Sequence, residues 1–562
     1  MKTTPSRALL IATLCLLTAA LPACRKKRQA EEEQQQAAAM ADPFAALQDQ
    51  LPADVSAALL IRDWQTALHS YGPLRDRLQR YLGDLRTVEA DLRNTLGIDP
   101  RRPERLAEIG VSPEAGGAVA IVAGHPIIIL GMGNEARFRD HLVQVLQGQP
   151  FNLRAPVTQR DHNGATVLEF AAAEGQPPRY VAAFRDGWAH LARGDEDTRW
   201  EPVVEALTTT AQPTLRAHEP SQRALAQLED KPLLVVGQGT ELLGMLVPAF
   251  RPMINAFASD VGTLVFGFTL HTDRLRGELV GVPLPGRQDA IARVLTREPD
   301  TTAPDFRALL HNDAYAFARI QINATQIVAL LRQTVDAFDD NDGAVASTRA
   351  SLDELVGMSL ENELIPAMGH DAFVMATRAR MITLMGISRS GNVSPGALGE
   401  GFGLAGAVAI RDRDTVLRAL VALAAASPGT IVHEPAPPLD LFRLRGANER
   451  LGTFVLHEQF LILVPERQRD ELLAGLTTGE APAIPDINAA AAVELIGATD
   501  DSGIFLDLKR IANGSIGQLL GGQLPDGMRT AIQVFEEAWA RLRWSDDLLR
   551  GDFEVTLATP AD

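Results

Sequence analysis

"DRLRGELVGV" (residues 273–282) and "DLLRGDFEVTL" (residues 547–557) are written to one pattern: Asp-x-Leu-Arg-Gly-acid-apolar. They lie 274 residues apart in a chain of 562. A pattern that returns at this distance points to an internal repeat, and a repeat decides how the whole chain is divided. Three further pairs occur in the same order. "IILGMGNEARFRDHLVQVL" matches "GAVAIRDRDTVLRALVAL", each a strand, a charged turn and a helix. "AAFRDGWAHLA" matches "FVLHEQFLILV", each a hairpin around a polar turn. "LPADVSAALLI" matches "LLHNDAYAFARI", each an opening strand. Their offsets drift, as loop insertions would make them.

The expected organisation is therefore two homologous domains, at residues 51–288 and 304–562, joined by a linker at 289–303. Within each copy, strand-like alternation is broken by hairpin turns. "VTQRDHNGATVLEF" places Asn163-Gly164, which accept the positive φ of a tight turn, between two alternating runs. Strands joined by hairpins make antiparallel sheets, and amphipathic helices must cover a face of them. The expected fold class is α+β, each domain an antiparallel sheet packed against helices.

Three helices are expected from apolar spacing. One carries Leu74, Leu78, Tyr81, Leu85, Val88 and Leu92 and ends at Gly97. A second carries Leu242, Met245, Leu246, Phe250, Met253, Ile254 and Phe257. The third carries Met528, Ile532, Phe535, Trp539 and Leu542.

The first 23 residues read as an export signal. Lys2 and Arg7 precede an uncharged run from Ala8 to Ala20, too short for the roughly 20 residues that span a bilayer. Leu21, Pro22, Ala23 and Cys24 resemble the lipobox of bacterial lipoproteins. That resemblance implies cleavage before Cys24, a diacylglyceryl group on its thiol and an acyl group on its new amine. Arg25 stands where members of that class kept in the inner membrane carry aspartate, so the resemblance implies the periplasmic face of the outer membrane. "RKKR" (25–28) would meet anionic headgroups. Residues 24–50 begin with a polar, low-complexity stretch that reads as a tether.

Composition narrows the rest. Net charge is −18, which opposes nucleic acid as a partner. Of the two cysteines, Cys15 lies in the signal, so the mature chain keeps Cys24 alone and forms no internal disulfide. Cysteine nucleophiles and cysteine-ligated zinc are excluded with it.

"LPADVSAALLI", "LGIDPRRPERLAEIGVSP", "LIPAMGHDAFVMA" and the two "LRG" strands together resemble a bacterial family of exported, duplicated proteins of unknown function. No catalytic residue comes with that resemblance.

Several motifs outline a site and fail on chemistry. Gly131-x-Gly133-x-x-Ala136 sketches a dinucleotide turn, but no acid ends a second parallel strand about 20 residues on. A calcium loop centred on Gly343 places Phe338 first and Arg349 last, where a carboxylate is required. Ser388, Ser390 and Ser515 lack the strand-to-helix elbow of a nucleophile. His370 and Asp371 are adjacent on a strand and face opposite ways. No catalytic residue, metal ligand or cofactor is assigned, and an enzyme is the less favoured class. The expected role is a non-enzymatic envelope protein held to lipid by Cys24, with an envelope protein as partner. The first alternative is a carrier of lipid or another apolar ligand. The second is a hydrolase whose residues meet only in the fold.

Overall fold

The computed structural model describes residues 42–78, 102–122, 124–149, 151–194, 198–209, 213–246, 260–296, 303–310, 314–321, 353–377, 403–445, 450–465, 469–478, 494–497, 501–513 and 534–558. These residues form a mixed α and β fold whose strands pair antiparallel, as the sequence leads one to expect. Two compact units divide them. The first takes the described residues up to His69, those from 102 to Gln222, and Pro232–Val235; the second takes the rest. Cys24, Gly97, Gly343, Ser388, Ser390 and Ser515 lie outside the described residues.

In the first unit the strands are β1 (Ala57–Ile61), β2 (Gly117–Val122), β3 (His125–Gly131), β4 (Thr158–His162), β5 (Ala165–Ala171), β6 (Pro178–Arg185) and β7 (Trp188–Arg193). They are ordered β4-β5-β6-β7-β3-β2-β1. β1 also pairs with β8 (Leu233–Gln238), whose first residues belong to this unit. Asn163 and Gly164 both have positive φ between β4 and β5, so the turn read from the sequence is present.

Helix α1 (Pro43–Gln48) buries Phe44 and Leu47. The last part of the expected tether is thus folded, because Asp42 caps α1 by accepting from the Ala45 N–H. Helix α2 (Trp64–Leu78) contains the first two positions of the expected heptad-like helix, but it starts ten residues ahead of Leu74. Helix α3 (Glu135–Gln147) places Phe138, Leu142 and Leu146 four residues apart. They pack with Leu168, Phe170, Ala182 and Phe184 of β5 and β6. Next come α4 (Trp200–Thr208) and α5 (Glu219–Leu225).

The second unit contains α6 (Gly239–Leu246), β9 (Val261–Leu270), β10 (Arg274–Pro283) and α7 (Gln288–Leu295). It continues with β11 (Ala316–Gln321), β12 (Met368–Ala376), β13 (Leu404–Ile410), α8 (Arg413–Ala426), β14 (Ile431–Ala436), β15 (Leu439–Arg445) and β16 (Arg450–Leu456). The last elements are β17 (Phe460–Val464), α9 (Arg469–Thr478), β18 (Ser502–Asp507), α10 (Leu508–Asn513), β19 (Phe535–Ser545) and β20 (Leu548–Leu557). The ladder runs β9-β10-β20-β19-β18-β11-β12-β13-β17-β16-β15-β14. Its core joins Phe306, Phe317, Phe373, Phe460, Ile462 and Phe505, with Leu473 and Leu476 of α9 packed on it.

Two sequence readings are corrected here, and a third is met in part. The helix expected over Met528–Leu542 is strand β19 from Phe535 onward. Its apolar residues also satisfy a two-residue period: Ala538, Ala540 and Leu542 stand opposite Val555, Phe553 and Gly551. Pairing on both sides, with β18 and β20, outweighs the helical propensity of its Glu and Ala. The expected linker at 289–303 begins with helix α7, which buries Ile291. The helix expected from Leu242 is present as α6 as far as Leu246, and its remaining positions up to Phe257 lie outside the described residues.

The two "LRG" strands are direct neighbours, β10 beside β20. Gly277 faces Phe553, and a Cβ at Gly277 would stand 2.0 Å from that ring. Glycine leaves open the space that the ring takes, and a side chain there would displace the ring.

Candidate functional site

The strands of the second unit have one face that follows the usual rule and one that does not. In "AFARIQ" of β11, Phe317, Arg319 and Gln321 point into the core, while Ala316, Ala318 and Ile320 point away from it. An antiparallel sheet packed on one side commonly turns polar residues outward. Here the outward positions are apolar too.

One cross-strand row makes this plain. Phe553, Ala540, Ile504, Ala318, Val374, Gly406 and Leu463 stand opposite one another on successive strands from β20 to β17. Ile504 is 43% exposed, and Val374 and Leu463 are each 41% exposed. One residue along each strand, Phe505, Phe373 and Ile462 are 0%, 1% and 1% exposed. Toward β9 the row continues through Gly277 to Phe268, whose ring meets Phe553 edge-on at 5.6 Å. Exposed apolar area of this extent marks an interaction surface in a soluble protein. In the first unit the cross-strand pair Leu59 and Val119 is exposed in the same way.

Row sizes alternate. Large side chains on β20, β18 and β12 are separated by Ala540 on β19 and Ala318 on β11. The next row repeats this from β20 to β18, with Val555, Ala538 and Leu506 in register, while Ala316 stands between Leu506 and the small Ala376. The alanines floor only short furrows: in the row on the other side of Ala540 and Ala318, Leu542 on β19 and Ile320 on β11 stand up opposite Gly551 and Ala372.

Behind this face lies a buried ion pair. The Arg319 guanidinium donates to Asp371 Oδ1 from Nη2 at 2.8 Å and from Nε at 3.3 Å. It also donates to the Gly497 carbonyl and sits 5.5 Å over the Phe306 ring. Both side chains are buried. This settles the His370–Asp371 motif: the Asp371 carboxylate serves Arg319, and His370 is itself buried.

Other polar groups account for themselves locally. Asp440 holds both His433, at 2.9 Å, and Arg413, at 2.5 Å. His433 stacks on Phe442 at 4.4 Å, so the group fixes a hairpin to α8. His218 contacts Ser221 at 2.8 Å, and Ser221 is buried at the start of α5. Gly131 and Gly133 hold no pyrophosphate cradle. A Cβ at Gly131 would collide with Ala115, and Asn134 caps α3 by accepting from the Arg137 N–H. Among the described residues, no three His, Cys, Asp or Glu converge as a metal site, and no helix is long and apolar enough to cross a membrane.

His190 on β7 is buried opposite Ala183. Burial, with Arg185 adding to it, pushes its pKa down to about 3. The unfolded chain takes up a proton near pH 6.5 that the folded chain refuses. This contribution to stability is full above that pH and is lost as pH falls toward about 3. Between pH 7 and pH 5 the wild type should lose about 2 kcal/mol more than His190→Gln. Urea midpoints at both pH values measure the difference, and equal losses would show that His190 protonates freely in the fold.

No family model and no curated protein matches this chain. Three crystal forms of TP0453 resemble part of it. Form IV is 11% identical, covers 45% of this chain and 85% of TP0453, and has a TM-score of 0.24. Form III is 10% identical, covers 46% and 88%, and also scores 0.24. Form I is 9% identical, covers 46% and 86%, and scores 0.23. Likeness at that level carries no argument about fold or role.

The sequence motifs did not lead to the apolar face, although a signal for it is present. "LAGAVAI", "FLILV" and "AFVMA" are apolar at both parities, which means that both faces of those strands shun water.

Proposed function

We propose that this chain is a non-enzymatic envelope protein, anchored through acylated Cys24 on the periplasmic face of the outer membrane. It has two homologous α+β domains and binds an apolar partner. One observation carries the binding role: the continuous apolar outer face of the sheet from β20 to β17, with Ile504, Val374 and Leu463 open to solvent. A folded chain that leaves such a face open loses stabilisation of about 25 cal/mol for each Å² left wet. A binding partner recovers it.

The duplication is supported strand for strand. The order β4-β5-β6-β7-β3-β2-β1 has its counterpart in β14-β15-β16-β17-β13-β12-β11, each number raised by ten. In the pairing of β10 with β20, Glu278 stands opposite Asp552. These are the equivalent acids of the two Asp-x-Leu-Arg-Gly-acid motifs, as a twofold relation between copies requires. Each is neutralised nearby, Glu278 by Lys231 at 2.6 Å and Asp552 by Arg541 at 2.9 Å.

The experiment is to purify the acylated protein from membranes, as wild type and as Ile504→Asp with Val374→Asp, and to identify co-purifying lipids and proteins. Both positions are exposed, so the variant should fold and remain on the membrane while losing what co-purifies. An unchanged set in the variant overturns the binding role of this face.

A further inference from the structure

We propose that Asn163 is a site of self-modification, where the side-chain amide is lost to water and helix α4 governs when this happens. The site lies in the first unit and shares no residue with the apolar face of the second.

The turn between β4 and β5 holds the reacting groups. Asn163 and Gly164 are its two central residues, both exposed and both at positive φ. Gly164 has no side chain, and a Cβ built there would meet nothing within 4 Å. Its backbone nitrogen is therefore open to the neighbouring side chain and to water. In the reaction that nitrogen gives up its proton and bonds to Asn163 Cγ. The Cγ–Nδ2 bond breaks, and ammonia leaves. Water then opens the cyclic imide. Attack at one carbonyl leaves aspartate, and attack at the other leaves isoaspartate, whose main chain runs through Cγ. Water is the sole co-reactant.

The fold holds this amide back. Asn163 Nδ2 donates to Glu205 Oε2 at 3.1 Å, to Thr209 Oγ1 at 3.2 Å and to Thr208 Oγ1 at 3.4 Å. These acceptors lie in the last turn of α4 and just past it. They tie the carboxamide to the helix, and it must be released before Cγ can swing onto the Gly164 nitrogen. The product reverses the contact, because a carboxylate cannot donate. It would face Glu205, whose own carboxyl is held below the usual carboxylate range by hydrogen bonds from Thr209, His162 and Asn163. It would also face the negative end of the α4 dipole. Two basic side chains at this end are already engaged. His162 meets the same Glu205 oxygen at 3.1 Å, and the buried Arg185 donates to the Thr208 carbonyl at 3.2 Å. Loss of the amide thus frees the hairpin tip from α4. Isoaspartate adds an atom to the main chain of a two-residue turn, so the release is permanent.

The test incubates the full protein in mildly alkaline buffer made with heavy-oxygen water. Mass spectrometry of the peptide carrying residue 163 follows uptake of the label and separates aspartate from isoaspartate. The wild type should take up label more slowly than the same chain unfolded in urea. Glu205→Ala with Thr209→Ala removes two of the acceptors and should raise the folded rate at least threefold, while hydrogen exchange in β6 stays unchanged and shows that the unit remains folded. Equal rates in the two folded proteins overturn the role of α4, and absence of label from both overturns the site. Two further variants test the consequence. Asn163→Asp reproduces the product, whereas Asn163→Gly keeps the positive φ and removes donor and charge alike. Asn163→Asp should speed hydrogen exchange in the β4–β5 turn and the last turn of α4 several-fold beyond Asn163→Gly. Equal exchange in these two overturns release by charge.

Discussion

Asp371→Ala is expected to destabilise the second unit by about 3–5 kcal/mol. The Asp371 carboxylate is the charged partner of Arg319, and both side chains are buried. Removing it leaves a guanidinium with the Gly497 carbonyl and the Phe306 ring but without its hydrogen-bonded carboxylate; Asp305, which feels the Arg319 charge, is itself held by Arg307. Desolvating an unpaired cation costs far more than losing a surface pair, which is worth about 0–1 kcal/mol. Exposed pairs such as Arg216–Asp49, at 2.9 Å, should show only that small effect when broken. The double replacement Arg319→Met with Asp371→Leu should recover most of the loss, because it removes both charges and keeps the volume. Trp539, packed against the same core, reports urea unfolding. A single-mutant loss below about 1 kcal/mol would mean that water reaches the pair.

The pair also shows where reading the sequence stops. Arg319 in "AYAFARI" and Asp371 in "GHDAFVMA" are 52 residues apart, and each looks like an isolated charge in an apolar strand. Only the pairing of β11 with β12 brings them together. What the sequence does encode is local. The hairpin at Asn163-Gly164 follows from the backbone freedom of two residues. The turn before α3 follows from the side chain of Asn134, and the matching turn before α8 from Asp412, which accepts from the Thr415 N–H. These signals need no partner strand. β19 does need one. Its sequence fits both a helical and a two-residue period, and the choice is made by β18 and β20.

The candidate face was legible in a different way. Catalytic motifs draw attention to polar residues, and here those residues are absorbed by packing, capping and pairing. The informative letters are the plain ones: alanines at every second place of "AFAR" and "EAWAR", opposite Ile, Val and Phe. Their meaning depends on register. A slip of one residue would turn Ala318 inward and Arg319 outward, and the furrow would vanish. No single strand encodes the furrow, because its two walls and its floor come from three different strands.

Cys24→Ala is expected to move the protein entirely from the membrane fraction to the soluble fraction and to abolish labelling by radioactive fatty acid. The argument is one of affinity. A single acyl chain of myristoyl length binds a bilayer with a constant of only about 10⁴ M⁻¹, and stable anchoring needs a second chain or another signal. Under the proposed processing, a diacylglyceryl thioether with an acylated amine would supply more than one chain at a single residue, and Cys24 would be the one thiol left once Cys15 is cut away. Removing it removes every chain together, so the effect should be complete. The basic run at 25–28 adds about 1 kcal/mol per residue near an anionic surface, too little to hold a body of this size alone. The same variant also tests the apolar face. If Cys24→Ala stays on membranes and is released by adding Ile504→Asp and Val374→Asp, the sheet face itself grips the bilayer and the thioether is not the anchor. If it is released at once, anchoring and ligand binding are separate tasks, one at Cys24 and the other on the sheet face.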